Sequence, residues 1–238
     1  MIIVNGKEIQ CVVHNGIVCP MYLNGKLITQ SQEPETSVTI GGRVYPIVKI
    51  GNQLWMCENL DYKFEGLTIN GESTWSGEKV AWYYDNNETL YGETGNKYGL
   101  LYNYYAIKFL NNNKNTLLPA GWQVPTYNDF ETLLTTIEYD SSKADDESEQ
   151  NKIKSLKSTT GWYNNRNGTN ELLLNIVPGG KRNGNNSFSE LTENSFFGTL
   201  TQQNDYNNYQ FQITSVNYVY KSTEQLTNGT SVRLVKNI

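Results

Sequence analysis

The segment LPAGWQVPTYNDFETLL, residues 118–134, places the strongest constraint on how this chain can fold. Pro119 and Gly121 are turn-forming residues, and together they predict a tight bend. Trp122 follows at once, and a large apolar side chain beside such a bend is usually buried. The segment therefore predicts a turn anchored in the hydrophobic core, with a helix after it.

The residues after this turn carry the pattern of an amphipathic helix. Thr126 stands three residues before Asp129, which is the spacing of an N-cap residue and its capping-box partner. We therefore expect a helix to begin near Tyr127. One face of it should be buried, because apolar residues recur at helical spacing: Phe130, Leu133, Leu134 and Ile137. The pattern favours a structural role over a chemical one.

Composition favours a fold made mostly of strands and loops. Tyrosine is abundant, with 17 residues, and favours strands, whereas the frequent asparagine and glycine residues favour turns. A length of 238 residues allows one large domain with a small module beside it. The net charge of −5 argues against a surface that binds nucleic-acid phosphates. The sequence has no apolar run of about 18 residues, so it predicts no membrane-spanning helix.

Local patterns predict several further elements. Val38–Ile50 alternates apolar and polar residues around Gly41-Gly42, which predicts a hairpin. Trp82–Asp85 predicts an aromatic strand, and Leu100–Leu110 and Asn151–Ser158 show weaker helical spacing. We therefore expect an α+β fold that is mostly β and loop-rich, with one or two short helices.

Residues 1–30 carry three Asn-Gly pairs at nearly regular spacing, each flanked by apolar or β-branched residues. Asn-Gly favours a hairpin because both central residues of a type I′ turn need positive φ. The pairs are Asn5-Gly6, Asn15-Gly16 and Asn24-Gly25. They predict a β-meander of four short strands, which is too small to be stable alone and should pack on a partner.

The predicted domain boundaries follow from this pattern. Residues 1–30 form the meander, the polar residues 31–37 form a linker, and residues 38–238 form the main domain. The meander resembles the N-terminal attachment modules of bacteriophage fibre and tail proteins, which implies a role in attachment or oligomerisation. The alternative is a β extension that packs on its own domain.

Five blocks of sequence follow one another along the chain. Besides the PAGW segment, they are GNQLWMCENLDY (Gly51–Tyr62), KYGLLYNYYA (Lys97–Ala106), PGGKR (Pro178–Arg182) and SVRLVK (Ser231–Lys236). In this order they resemble the Fibrobacter succinogenes major paralogous domain, which is common in Bacteroidetes proteins. The resemblance spans residues 38–238 and implies a fold similar to C-type lectin-like domains and formylglycine-generating enzymes. A fold alone does not establish function.

The cysteine positions depart from this family. The resemblance implies cysteines before the PAGW block and inside the closing block, where this chain has Leu118 and Leu234. Its three cysteines lie elsewhere, at positions 11, 19 and 57. The N-terminus lacks the basic and apolar regions of a secretory signal. Both features predict a chain that folds in a reducing cytoplasm without disulfides.

Residues with catalytic chemistry are scarce. The only histidine in the sequence, His14, lies beside a predicted turn of the meander, so the main domain has no imidazole for acid–base catalysis. The cysteines needed by formylglycine-generating relatives in the second half of the fold are absent after Cys57. Asn204-Asp205 only weakly resembles a lectin-type calcium motif. We therefore expect a protein that is not an enzyme, with no catalytic residue, metal site or cofactor.

Predicted loops in the second half instead offer a binding surface. Tyrosine gives rigid contact area at low entropic cost, and asparagine gives adaptable hydrogen bonds. The candidate residues are Trp162, Tyr163, Asn164, Asn165, Arg182, Asn183, Asp205, Tyr206, Asn207, Asn208 and Tyr209. The alternative is that these are ordinary solvated turns.

The sequence favours a non-enzymatic virion protein of a bacteriophage, a head or tail fibre or appendage that displays a lectin-like domain to a host-surface glycan or protein. Residues 1–30 would bind other virion proteins or form a homo-oligomer, with a trimer favoured. No nucleic acid or membrane insertion is expected. The alternatives are a bacterial cell-surface adhesin or glycan-binding protein of the same family, a purely structural capsid or tail component, and an enzyme of the formylglycine-generating type.

Overall fold

The computed structural model of the chain describes residues 36–71, 77–92 and 98–238, together with short strand backbones between residues 2 and 29. The chain divides into two compact units, residues 1–36 and 37–238, which we call unit 1 and unit 2. Several sequence predictions lie outside the described residues: the Asn-Gly pairs at 5–6, 15–16 and 24–25, most of the predicted linker, Cys11 and Cys19.

Unit 1 contains three antiparallel strand pairs. They are β1 (Ile2–Val4) with β2 (Lys7–Ile9), β3 (Val13–His14) with β4 (Ile17–Val18), and β5 (Met21–Leu23) with β6 (Lys26–Thr29). Each pair forms a separate two-stranded sheet, where the sequence predicted one meander of four strands. In each pair the two strands lie on either side of one Asn-Gly dipeptide in the sequence, and they pair with each other in antiparallel register.

A four-stranded antiparallel sheet brings together the start and the end of unit 2. Its strands are β7 (Ser37–Ile40), β8 (Arg43–Ile50), β9 (Gln53–Met56) and the C-terminal β19 (Val235–Asn237), in the order β19-β9-β8-β7. The predicted hairpin is confirmed, since Ile40 pairs with Arg43 across Gly41-Gly42.

A nine-stranded mixed sheet forms the rest of the β structure in the described residues. It consists of β10 (Thr68–Ile69), β11 (Val80–Trp82), β12 (Leu101–Tyr102), β13 (Gly179–Arg182), β14 (Phe188–Leu191), β15 (Asn194–Gln202), β16 (Asn207–Thr214), β17 (Val219–Gln225) and β18 (Thr230–Ser231). The long strands β15, β16 and β17 form an antiparallel meander within it.

Five α-helices lie in the described part of the chain. They are α1 (Glu88–Tyr91), α2 (Tyr104–Asn112), α3 (Lys114–Leu117), α4 (Tyr127–Thr136) and α5 (Glu147–Leu156). The prediction of one or two helices was therefore too low. Two of the additional helices, α1 and α3, have only four residues, which is too short for an apolar period to show in the sequence.

The helix predicted near Tyr127 is confirmed as α4. Thr126 and Asp129 form the full capping box, and Phe130, Leu133 and Leu134 are buried. The other two predicted helices are present, but they begin and end at different residues from those predicted. Helix α2 begins only after Asn103, whose Oδ1 accepts the Ala106 N–H at 2.9 Å. Helix α5 begins at Glu147, four residues before the predicted start at Asn151, and ends at Leu156.

The aromatic strand predicted at Trp82–Asp85 was too long. Strand β11 ends at Trp82, and a 3₁₀ turn, Tyr84–Asn86, follows it. Asp85 and Asn86 have φ values of 51° and 54°, and this left-handed backbone cannot continue a strand. Of the predicted strand, only Trp82 is in β11, and the turn that begins at Tyr84 overrules the β propensity of Tyr83 and Tyr84.

Two hydrophobic clusters form the core of unit 2. The first lies between the four-stranded sheet and α2, and it contains Trp122, Leu118 and Leu234. The second packs α4 and α5 on the long strands, with Phe130 stacked on Phe211 at a centroid distance of 4.6 Å. Both leucines at the family's cysteine positions are thus buried in one apolar cluster.

Candidate functional site

Two of the predicted binding loops lie at the same end of the nine-stranded sheet. Asn207, at the start of β16, pairs with Gln225, at the end of β17. The loop after Arg182 reaches this end too, because Gly184 lies beside Gln225 and Thr227. The turn after β17 therefore joins the Asp205–Tyr209 segment to the loop that contains Asn183.

The third predicted loop lies at the opposite end of the sheet. Lys157 Nζ donates to the Arg166 carbonyl oxygen at 3.0 Å and to the Ser215 carbonyl oxygen at 2.9 Å, so the loop 162–167 lies beside the end of β16. Strand β16 has 8 residues, which at about 3.4 Å per residue separates the two ends by roughly 25 Å. The predicted residues thus form two separate surfaces.

A groove of about 590 Å³ occupies the first end. We call it the tyrosine groove. It is lined by Tyr105, Asp205, Tyr206, Asn207, Gln225, Leu226 and Thr227. The Tyr206 side chain is 78% exposed, the largest exposure among the exposed large hydrophobic residues that the structure describes. The groove combines an accessible aromatic ring with a carboxylate and with amide and hydroxyl groups.

The loop that carries Tyr206 is held by its own hydrogen bonds. Asn204 Oδ1 accepts the backbone N–H groups of Tyr206 and Asn207, both at 2.9 Å. The Tyr206 carbonyl oxygen accepts the Leu226 N–H at 2.9 Å, which ties the loop to the turn after β17. The ring is therefore presented by an ordered backbone, which lowers the entropy cost of binding.

The opposite wall of the groove is held by a buried carboxylate. Glu224 Oε1 accepts hydrogen bonds from Asn228 Nδ2 at 2.6 Å and from the Gln225 N–H at 3.2 Å. Its other oxygen forms an ion pair with Lys181 at 2.9 Å. These contacts fix the turn from Gln225 to Asn228, so both walls of the tyrosine groove are ordered.

Of the predicted residues, Arg182 and Asn208 are buried and Tyr209 is half-buried, so these side chains contact the sheet more than the solvent. The Arg182 guanidinium lies over the Trp82 ring at 3.9 Å and donates to Asn186 Oδ1. Asn208 donates to the Thr199 carbonyl oxygen at 3.2 Å, and Tyr209 packs on Tyr127. These three side chains support the sheet behind the loops.

The Trp162 side chain is also buried, with 3% exposure. Its Nε1–H donates to Ser158 Oγ at 3.0 Å. Tyr163, Asn164 and Asn165 are exposed, and Asn164 and Asn165 have φ values of 51° and 56°. Trp162 therefore anchors this loop, while the residues after it face solvent.

A family model described as the Fibrobacter succinogenes major domain matches residues 48–236. The chain belongs to this family. The family expected from the five sequence blocks is therefore confirmed. Neither the curated proteins nor the solved structures contain a significant match to the chain.

The blocks by which the chain resembles other Fibrobacter succinogenes major domains lie mainly in the interior. Trp55, Trp122, Arg182 and Arg233, one from each of four blocks, are all buried. Arg233 donates to Asn59 Oδ1 at 2.8 Å, to the Asn175 carbonyl oxygen at 2.8 Å, and to the carbonyl oxygen of Leu174. Of the residues that line the tyrosine groove, Tyr105 lies in the Lys97–Ala106 block, and the other six lie outside all five blocks. In this domain the shared residues therefore mainly build the core, and most of the groove belongs to other segments.

Lys157 is a feature of the domain that the sequence did not single out. It is 0% exposed, and its Nζ lies within 3.2 Å of four oxygen acceptors. Burial, together with the nearby charges of Lys154 and Arg166, lowers the pKa of Lys157 to about 7. Its position in the sequence, one residue past a short helix, gives no sign of burial.

Among the described residues, no cluster of three His, Cys, Asp or Glu side chains is arranged to hold a metal ion. Cys57 is buried and forms no disulfide with any residue in the described ranges. In that same part of the chain, no helix has the length and apolar character needed to cross a membrane.

Proposed function

We propose that this protein is a non-enzymatic binding protein and that the tyrosine groove binds a saccharide or protein on a bacterial surface. The observation that carries the proposal is the exposed Tyr206 ring on an internally hydrogen-bonded loop. A large aromatic side chain left in water is a typical anchor for binding, especially when its backbone is already ordered.

The mixture of groups in the tyrosine groove favours a saccharide. A sugar ring offers an apolar face that can stack on Tyr206 and Tyr105, and hydroxyl groups that can bond to Asp205, Asn207 and Gln225. Such grooves bind through a few polar groups placed around an apolar surface. A protein loop of similar chemistry remains the second possibility, because tyrosine and asparagine also serve protein recognition.

We further propose that unit 2 has a C-type lectin-like fold. The supporting observations are the sheet that joins the first and last strands of unit 2, the helices α2 and α4, and the long, largely irregular segment between α5 and β13. In folds of this kind, the loop sequences differ among relatives, while the buried residues maintain the fold.

The proposed setting is a bacteriophage virion, where unit 1 attaches the chain to other virion proteins or forms a trimer. Repeated copies would raise the avidity for a weak surface ligand. The division into two units supports a separation of attachment from binding. A bacterial cell-surface adhesin is the alternative setting, and a structural appendage component without a ligand is a third.

Replacing Tyr206 tests the proposed groove. The full chain would be assayed for binding to an array of bacterial surface polysaccharides and to whole Bacteroidetes cells. We expect Tyr206→Ala to weaken binding about tenfold or more, since a hot-spot aromatic contributes about 1.4 kcal/mol or more. Tyr220→Ala is the matched control, because Tyr220 is exposed but lies on β17 outside the groove.

The outcomes separate the alternatives. Equal binding by the wild type and the Tyr206 variant would refute the groove as the binding site. Failure of the wild type to bind any polysaccharide or cell would favour a purely structural component. Electron microscopy with an antibody to unit 2 would distinguish a virion from a cell surface.

A further inference from the structure

A second cleft, of about 450 Å³, lies at the other end of the nine-stranded sheet from the tyrosine groove. One wall is formed by Asn165, Arg166 and Asn167, and the other by the loop Ser215–Asn217. Lys154 and Gln150 of α5 form its floor. We call it the cationic cleft.

A single buried ammonium group holds the two walls together. Lys157 Nζ donates to the Arg166 carbonyl oxygen at 3.0 Å on one wall. On the other it donates to the Ser215 carbonyl oxygen at 2.9 Å and to Asn217 Oδ1 at 2.7 Å. The Trp162 ring covers the same ammonium group at 4.0 Å. The width of the cleft is therefore set by contacts within the protein.

The charges around this cleft are not neutralised. Lys154, Lys157 and Arg166 form no ion pair with any carboxylate in the described ranges, and Lys157 feels the charges of the other two. Two carboxylates on neighbouring elements, Glu149 and Asp145, are engaged elsewhere. Glu149 pairs with Lys152 at 2.8 Å, and Asp145 accepts a hydrogen bond from Tyr218.

Two cationic side chains without an ion pair, Lys154 and Arg166, line this cleft beside the buried Lys157, in a chain whose net charge is −5. Like charges that are close together repel, and partial burial strengthens the repulsion because the local dielectric is low. An anion in the cleft would remove this repulsion and would accept charge-assisted hydrogen bonds from Lys154 and Arg166. The amide groups of Gln150, Asn165 and Asn167 could bond to the polar atoms around that anion.

We propose that the cationic cleft binds the carboxylate or sulfate groups of an acidic polysaccharide. This inference rests on the proposed surface-binding function and specifies the chemical class of its ligand. The cleft and the tyrosine groove lie at opposite ends of β16, so the chain has two separate contact points for an extended polymer. Tyr206 anchors sugar rings at one point, and Lys154 and Arg166 bind charged groups at the other.

The test compares charged polymers with neutral forms of the same backbone. Calorimetric titration of the full chain would use oligogalacturonate against its methyl ester, and dextran sulfate against dextran. We expect tighter binding of at least one charged form. Lys154→Gln and Arg166→Gln should each weaken that binding about tenfold or more, as expected for the loss of one charge-assisted hydrogen bond.

Lys114→Gln is the matched control. It removes the same charge from a site at the start of α3, away from both the cleft and the groove, and should change binding less than about twofold. Each variant would also be unfolded in urea. Lys154 is half-exposed and Arg166 exposed, so both variants should fold normally.

The outcomes distinguish this inference from the groove proposal. Binding that is lost in Tyr206→Ala but unchanged in Lys154→Gln and Arg166→Gln would overturn the cationic cleft and leave the groove in place. Equal affinity for the charged and neutral polymers, or no binding of either charged polymer, would also overturn it. Equal weakening by Lys114→Gln would show non-specific charge attraction and would refute a built site.

Discussion

Three cationic side chains, Lys157, Arg182 and Arg233, are buried in unit 2 and bind backbone or amide oxygens. None of them forms an ion pair within the described ranges. Burying a charge is costly unless its hydrogen-bonding groups are satisfied. Lys157 and Arg233 therefore join segments that are distant in the sequence, and losing either leaves several oxygen atoms without partners. Arg182 instead bonds to the nearby Asn183 and Asn186 and contacts a distant segment through the Trp82 ring.

Arg233→Met should destabilise unit 2 by about 3 kcal/mol or more. The substitution leaves the buried acceptors Asn59 Oδ1 and the Leu174 and Asn175 carbonyl oxygens unpaired, at about 1–3 kcal/mol for each. Urea unfolding measures the effect. Arg166→Met is the control, and because Arg166 is exposed it should change stability by less than about 0.5 kcal/mol. Equal effects would contradict the structural role of Arg233.

Lys157 should make stability depend on pH. Burial lowers its pKa in the folded protein from 10.5 to about 7, so between these values the unfolded chain holds more protons. The free energy of unfolding therefore rises with pH across this window. The added stability is lost as the pH falls through about 7. The slope is at most about 1.4 kcal/mol per pH unit.

Urea unfolding of the wild type and of Lys157→Met, at several values between pH 6.5 and 9.5, measures this effect. The stability difference, wild type minus variant, should increase with pH. The substitution should also destabilise the fold at every pH by about 2–4 kcal/mol, because four oxygens lose their donor. A difference that does not change with pH would mean that these oxygens keep the ammonium charged.

At the scale of elements, the cap of α4 connects the helix to the four-stranded sheet. Asp129 Oδ2 accepts the Thr126 N–H at 2.8 Å and the Thr126 hydroxyl at 2.7 Å. Its Oδ1 accepts Asn237 Nδ2 of β19 at 3.0 Å. The capping box visible in the sequence thus also holds the C-terminal strand, a contact that local spacing could not reveal.

Thr126→Ala should therefore cost about 1 kcal/mol, the usual value of an N-cap. Asp129→Ala should cost more, about 2–4 kcal/mol, because it also leaves Asn237 and the buried Thr126 N–H without their acceptor. Thermal or urea unfolding would rank the two variants. A larger effect of Thr126→Ala would show that the contact with β19 contributes little.

The β7–β8 turn offers a matched pair of glycines. Both have positive φ, 57° for Gly41 and 87° for Gly42. A Cβ on Gly41 would lie 2.0 Å from the Tyr62 ring, whereas one on Gly42 would meet nothing within 4 Å. Gly42→Ala should cost about 1–2 kcal/mol from backbone strain. Gly41→Ala should cost more, because its Cβ would also clash with the Tyr62 ring. If urea unfolding shows that both variants lose the same free energy of unfolding, the Tyr62 ring moves aside without cost.

At the scale of the whole molecule, unit 2 contains both hydrophobic clusters and pairs its first strands with its last. We expect the fragment 37–238 to unfold in one cooperative transition with a midpoint close to that of the full chain, because the core is complete without unit 1. Calorimetry of both chains measures this. Loss of cooperativity would show that residues before 37 are part of the core.

The oligomeric state is expected to depend on unit 1. Light scattering should give a trimer for the full chain and a monomer for the fragment 37–238, because the small strand pairs cannot bury enough surface alone. A monomeric full chain would exclude oligomerisation through these residues and would leave attachment to other proteins as their role.

Local patterns predicted the elements that depend on neighbouring residues. Turn glycines and strand alternation located the β7–β8 hairpin, and capping chemistry with apolar spacing located α4. Helix α5 was misplaced because its first turn is acidic and is stabilised by contacts of Glu149 with Lys152 and the Asp140 N–H. Of the candidate binding residues, Arg182 and the segment 207–209 lie in β13 and β16, where the sequence predicted loops. Local patterns also did not separate the buried candidate residues from the exposed ones.

The sequence alone determined the family, the mainly β character and the best local turns and caps, because these depend on residue type over a few neighbouring positions. Only the tertiary structure placed Arg182, Trp162 and Asn208 in the interior and left Tyr206 in solvent. It also brought Lys154, Lys157 and Arg166 beside the Ser215–Asn217 loop. Burial and charge clustering depend on contacts between residues that are distant along the chain, and such contacts leave no local pattern.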